Sequence, residues 1–409
     1  MRSICLYFRV HQPVRLKRFR FFDIGNSGYY YDDFQNEYLV HQVAQNCYLP
    51  ANKILLKLIN KYQGKFKLAF SISGTALDQF QAYAPEVIDS FRELAFTGCV
   101  EFVAEPYASS LSALHDKEEF RKQVRIHVAA NESLFGARPA VFANTGLVYS
   151  DEIGALAAEL GFRGILAEGP RHALEWRSPN YLYNNAVAPS LAVLLKNDRL
   201  SDDVAFRFSD PNWSEWPLDP KKFVSWLNML PQNEKMVNLF MDYETFGERQ
   251  KHEDGIFDFL SSMPGAVLRG SKFQFMTPTE LLCLYQPTAT LHVGHQTVHA
   301  SAQKWLGNEL QQEAFEKLYQ LSGMVRDCHD KQLLKDWQYL QTSDHFFYMN
   351  TNHDSGGGFQ ASHSPYGSPF EAFINYMNVL NDFAIRLERY TQEEQQQYTQ
   401  LKKKILETA

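Results

Sequence analysis

Apolar residues fall into short runs and helical stripes that alternate through the first two thirds of the chain. Residues 4–10 are apolar, aromatic and β-branched, and they stop at His11-Gln12-Pro13, where proline ends a strand ladder. In 51–62, Ile54, Leu55, Leu58 and Ile59 take helical spacing, Gly64 stops the helix, and 66–71 supplies a second strand. Pro85 opens a helix with Val87, Phe91 and Leu94 inward, and Gly98 precedes a third strand at 99–104. A fourth strand at 140–143 runs into Asn144-Thr145-Gly146, after which Ser150 caps a helix whose stripe is Ile153, Leu156, Ala157 and Leu160. Strands five to seven are expected at 162–167, 191–195 and 237–241, with an extra short one at 273–276. This strand-helix alternation predicts an α/β fold of the barrel type over 1–286.

After about Pro287 the pattern turns helical, so a C-terminal helical domain is expected over 287–390. Its helices are read at 310–325, 331–341 and 368–389, the last opening with Ser368-Pro369-Phe370-Glu371, a capping box with proline at the first helical position. Gly356-Gly357-Gly358 reads as a flexible loop. A polar tail at 391–409 reads as a solvated helix or as disorder. The Tyr-rich insertion at 25–37, containing YYYDDF, reads as a loop over the barrel mouth.

A net charge of -7 argues against nucleic acid or an anionic membrane as partner and favours a neutral ligand. Five scattered cysteines without a CxxC pair predict neither disulfides nor a zinc ribbon. Arg9 and His11 interrupt the first apolar stretch too early for a signal peptide, and no 18 apolar residues run together, so the expectation is a soluble cytoplasmic protein.

Candidate chemistry gathers where strands end. The run Val237-Asn238-Leu239-Phe240-Met241 meets Asp242 and Glu244, two apart and so expected on one side of the strand at the catalytic rim of a barrel. Two carboxyls at such a mouth suit acid/base work on a sugar. Glu101 shares a strand face with Val103 and Glu105, and a charge facing a barrel interior needs a partner. His11 sits at the end of the first strand and Gly146 in a βα loop. Trp213 and Trp216, in NWSEW, are candidate sugar platforms, although such a pair is as often core. His292, His295 and His299 lie in a strand-like stretch where those offsets do not share a face, so no metal and no cofactor is expected.

With HQP at 11–13, GCVEF at 98–102, FANTGLVYSDEIG, FMDYETFGE and LQTSDHFFYMN in order, the chain resembles glycoside hydrolase family 57, in its α-amylase-like branch. The resemblance implies an incomplete, seven-stranded (β/α)7 barrel over 1–286 whose C-terminal helical domain completes the substrate cleft, acting on α-glucan or maltooligosaccharide with retention. It makes Asp242 the acid/base and places His11, Glu101, Glu244 and Asp344 at the other polar motif positions, as substrate-binding residues. The family's nucleophile would stand in Asn-Thr-Glu-Leu, and here the segment reads Asn144-Thr145-Gly146-Leu147. Ser109 likewise stands where this branch usually has histidine. The leading expectation is an α-glucan-binding protein with little or no hydrolysis. The alternative is a residual α-amylase or 4-α-glucanotransferase using Glu101, Glu105 or Glu244 as substitute carboxylate, with a ligand-free structural subunit as a third reading. The sequence assigns no oligomeric state.

Overall fold

The computed structural model describes residues 2–169, 174–294, 302–352 and 364–408, apart from the side chains of 397–399 and 401–408. The chain forms two compact units. The first comprises 1–12, 37–109 and 120–302, and the second 13–36, 110–119 and 303–409.

The described residues of the first unit form ten strands: β1 (Arg2–Val10), β2 (Leu68–Ile72), β3 (Val100–Phe102), β4 (Val141–Ala143), β5 (Gly164–Ala167), β6 (Tyr183–Asn185), β7 (Ala192–Leu195), β8 (Met236–Asp242), β9 (Phe273–Phe275) and β10 (Ala289–Leu291). One sheet runs β3-β2-β1-β8, with β9 also on β1, and the other β10-β6-β7-β5-β4. Setting aside β6, β9 and β10 leaves seven strands at the positions expected from the apolar runs. Two seams join the sheets. Ala104 bridges Phe142 in parallel, its N–H donating to Val141 O at 3.0 Å. On the other side the Asn197 N–H donates to Asn238 O at 2.8 Å, and Asn238 Nδ2 donates to Leu195 O at 2.9 Å. Asn238 therefore sits in an apolar run because its amide satisfies backbone between β7 and β8, where no ladder does so.

Alternate residues of the strands fill the interior: Cys5, Tyr7, Ala69, Val103, Ala143, Leu166, Leu194 and Phe240 pack in one cluster with Leu281. Leu281 comes from the helix Pro278–Leu284, whose Thr277 cap accepts from Glu280 N while Glu280 accepts from Thr277 N, so a capping box fixes the helix against the barrel core. The pairing of β9 with Arg2–Ile4 places this helix toward the N-terminal end of β1.

The second unit departs from the domain boundaries read from the sequence, in that it takes in 13–36 and 110–119 and leaves the barrel unit running to 302. The reason is side-chain pairing across long sequence separations. Tyr30 Oη donates to Asp382 at 2.7 Å, Tyr31 Oη donates to Asp336 at 2.6 Å, and the Phe19 N–H donates to Asn375 Oδ1 at 2.7 Å. From 110–119, Asp116 pairs with Arg326 at 2.7 Å and Glu119 accepts from Gln341 Nε2 at 2.8 Å. The Tyr-rich insertion is thus core of this unit, with Tyr30 and Tyr31 buried, rather than a loop of the barrel. Its last helix, Pro369–Thr408, carries the polar tail as one continuous element. The glycine run at 356–358 lies outside the described residues. No described helix is long and apolar enough to cross a membrane.

Candidate functional site

Asp242 is the last residue of β8 and the register partner of Arg9 on β1. Arg9 follows Cys5 and Tyr7 on the inward face, at the position where the barrel core gives way to the mouth. Its guanidinium is a hub: Nη1 lies 3.8 Å from Asp242 Oδ1, Nε lies 3.8 Å from Glu105 Oε2, and Nη2 donates to Ser109 Oγ at 2.6 Å. Glu105, beyond β3, also accepts from Ser71 Oγ at 3.0 Å, and Ser71 shares a 2.7 Å hydrogen bond with Tyr7 Oη. A second arginine reaches Asp242 from the loop after β8, with Arg249 Nη2 3.4 Å from Oδ2. That guanidinium lies over the Phe206 ring, 4.4 Å from its centroid, and Phe206 keeps 48 % exposure.

This arrangement pulls the two carboxyls apart electrically. Burial pushes Glu105 up to about 7, against the opposing pull of Arg9 and Ser71, and nearby Asp242 adds to the rise. For Asp242 burial pulls upward too, but Arg249 and Arg9 outweigh it and hold the carboxyl below its usual range. Asp242 nevertheless keeps 41 % of its side chain open to solvent, while the Glu105 side chain is 2 % exposed. The mouth therefore presents an ionised aspartate to solvent, between two arginines and above a buried glutamate.

Glu244 does not share the Asp242 side, contrary to the two-residue alternation expected of it. The strand ends at Asp242 and the next three residues form a 3-10 turn, Tyr243–Thr245, so the pleat no longer governs direction. Glu244 is buried, accepting from Tyr48 Oη at 2.5 Å and from the His11 N–H at 3.4 Å. Burial, followed by the charge of Asp242, pushes it to about 7. His11 is itself buried, its Nδ1 2.7 Å from Ser73 Oγ, and Gln12 Nε2 donates to Tyr48 Oη at 3.0 Å. These residues line up behind the mouth as a supporting network.

Glu101 pairs in register with Ala69 and is held by Thr279, whose N–H donates at 2.8 Å and whose Oγ1 donates at 2.7 Å. It is therefore tied to the helix Pro278–Leu284 and not to the Arg9 cluster. Gly146 lies in the turn Thr145–Leu147 after β4, at φ 59° and ψ 19°, and Leu147 follows at φ 58°. Trp213 packs edge-on against Trp226 at 6.0 Å, which is a packing role, whereas Trp216 is 48 % exposed. Asp344 belongs to the second unit, fully buried in the short helix Ser343–Phe347. His292 pairs with Asp151 at 2.5 Å, and His295 and His299 lie outside the described residues. Among the described residues no group of three or more His, Cys, Asp or Glu is placed to hold a metal ion.

Sequence reasoning missed Arg9, Arg249 and Phe206. Arg9 left a signal, since a charge at the same parity as Cys5 and Tyr7 must face the barrel interior. Arg249 and Phe206 left none, because they reach the mouth from loops whose course no periodicity encodes.

Comparison with known proteins bears on what such a mouth is for. The family model described as glycosyl hydrolase family 57 matches residues 5–294. A Methanocaldococcus jannaschii protein named "Putative alpha-amylase" is 35 % identical over 401 residues, covering 93 % of this chain and 84 % of its own length. Among solved structures, a family 57 branching enzyme from Thermococcus kodakaraensis, in complex with glucose, superposes with a TM-score of 0.68 at 14 % identity, covering 95 % of this chain and 91 % of that one. A 4-alpha-glucanotransferase from Thermococcus litoralis gives 0.65 at 16 % identity over 84 % of this chain, which spans 56 % of that protein. These solved structures share the fold, while the matched pattern and the 35 % identical relative together make the chain a member of glycosyl hydrolase family 57.

Proposed function

We propose that the barrel mouth binds α-glucan, in the form of maltooligosaccharide or a longer chain, with little or no hydrolysis. The observation that carries this reading is Gly146, the residue that stands where the family's motif has its nucleophilic glutamate. Retention requires a second carboxylate roughly 5 Å from the acid/base to form the glycosyl-enzyme, and glycine supplies none. Asp242, at the family's acid/base position, adds support. A general acid must carry its proton at working pH, and Arg249 and Arg9 favour the ionised form. Ser109, at the position where the branch usually has histidine, is engaged by Arg9. The polar equipment for sugar remains: an exposed carboxylate, two arginines and Phe206 as an apolar platform suit a neutral ligand with hydroxyl edges and C–H faces. Replacing Gly146→Glu tests the reading. The variant is expected to release shortened chains of α-configuration from maltoheptaose, and persistent inactivity of a folded variant counts against Gly146 as the missing element.

A second reading rests on the separation of the two carboxyls. Where environments push two titratable groups apart, the raised one serves as acid and the lowered one as base. Glu105, pushed to about 7, would protonate the leaving oxygen while Asp242 activates water, giving a residual amylase-like hydrolysis by an inverting route. Slow release of β-configured products that Glu105→Gln abolishes would select this reading over the first.

A further inference from the structure

A cavity of about 440 Å³ lies in the barrel unit at the opposite end of β8 from Asp242. Its wall includes Glu234, two residues before β8 begins, so the length of that strand, on the order of 20 Å at about 3.3 Å per residue, separates it from the mouth. Trp176, Tyr181 and Tyr183 line it together with Arg177, Asn233 and Glu234. Trp176 is 88 % exposed, the most solvent-open tryptophan among the described residues.

The polar groups of the wall are already held. Asn233 Nδ2 donates to Tyr181 Oη at 2.6 Å, Tyr183 Oη donates to Ser178 O at 2.6 Å, and Asn180 Nδ2 donates to Glu234 Oε2 at 2.6 Å. The Arg177 guanidinium lies 5.8 Å from the Tyr183 ring centroid, with Nη1 donating to Thr290 O at 3.1 Å. One cation and one carboxylate, each engaged, leave no net charge to attract an ionic ligand. Fixed tyrosine hydroxyls, an amide and a carboxylate beside an exposed indole instead match a ring that is apolar on its face and hydroxylated at its edge. We propose that this cavity is a second, non-catalytic binding site for a neutral hexose chain, rooted on Trp176 and Tyr181. It rests on the α-glucan reading for the identity of the sugar, while its position is independent of the mouth.

The test is retention of the full chain in native gels containing glycogen, beside titration with maltoheptaose. Trp176→Ala, at an exposed position, and Asn233→Ala, which removes only the amide on Tyr181, are expected to weaken glycogen retention at least about fivefold each, in line with loss of a stacking platform or an anchored hydroxyl. Phe206→Ala is expected to weaken maltoheptaose binding while leaving glycogen retention measurable. Retention of glycogen unchanged in both Trp176→Ala and Asn233→Ala, with Phe206→Ala abolishing it, overturns the second site and leaves the mouth reading standing. Loss of retention in Trp176→Ala with maltoheptaose indifferent to Phe206→Ala supports the second site and removes the mouth reading instead. Absence of any glucan binding by the unaltered protein overturns both.

Discussion

Glu105 and Glu244 are the residues whose environment most alters their chemistry, and both respond to pH in the same sense. Burial raises each from the ordinary glutamate value of 4.5 to about 7. Between those values the native state keeps protons that the unfolded chain has released, so the unfolded state binds fewer and stability falls as pH rises. One such shift costs up to about 3 kcal/mol by the time pH exceeds the native pKa. Asp242 acts in the opposite sense, since its lowered pKa gives stability that is lost only as pH falls through and below the usual aspartate range. Urea midpoints are therefore expected to drop between about pH 5 and about pH 8, and Glu105→Gln should remove a sizeable part of that drop. A profile identical in the variant would show that Glu105 titrates normally.

At the scale of elements, the loop after β8 is held by a close backbone approach that explains one glycine and not another. At Gly247, with φ 106°, an added Cβ would lie 2.0 Å from Asn46 O, a backbone atom of the π-helical turn Ala44–Tyr48. Gly255, with φ 80°, has nothing within 4 Å of the same point. Gly255→Ala should thus cost only the left-handed conformation, about 1 kcal/mol, whereas Gly247→Ala must also move the loop bearing Arg249 and should cost about 3 kcal/mol or more. Equal losses in denaturant titrations would refute the contact. A second element-scale expectation concerns Glu101. Because its carboxylate is spent on the N-terminal turn of the helix Pro278–Leu284, Glu101→Gln should lower stability by about 1 kcal/mol and leave glucan affinity unchanged. A selective loss of affinity would return Glu101 to the binding site.

Across the whole molecule, the barrel was legible because its seven strands are short apolar runs bounded by Gly, Pro and caps, a signal that local sequence carries. The short β6 and β10 were not, since polar Asn184, Asn185 and Thr290 break up any apolar run there. Unit boundaries were hidden for a different reason. The ties that draw 13–36 and 110–119 into the second unit, such as Tyr30 to Asp382 and Asp116 to Arg326, join residues hundreds of positions apart. At the mouth, the motif positions could be read in order, but which of them meet could not. Asp242 and Glu244 parted because the strand stopped between them, and Glu101 was claimed by a helix that no local pattern linked to it. The central claim is that the mouth binds maltooligosaccharide without cleaving it. Calorimetric titration of the unaltered protein with maltoheptaose, followed by chromatography of the cell contents, tests this in one sample. The account predicts a saturable binding heat with the heptaose recovered intact, and shortened chains, or no heat at all, would contradict it.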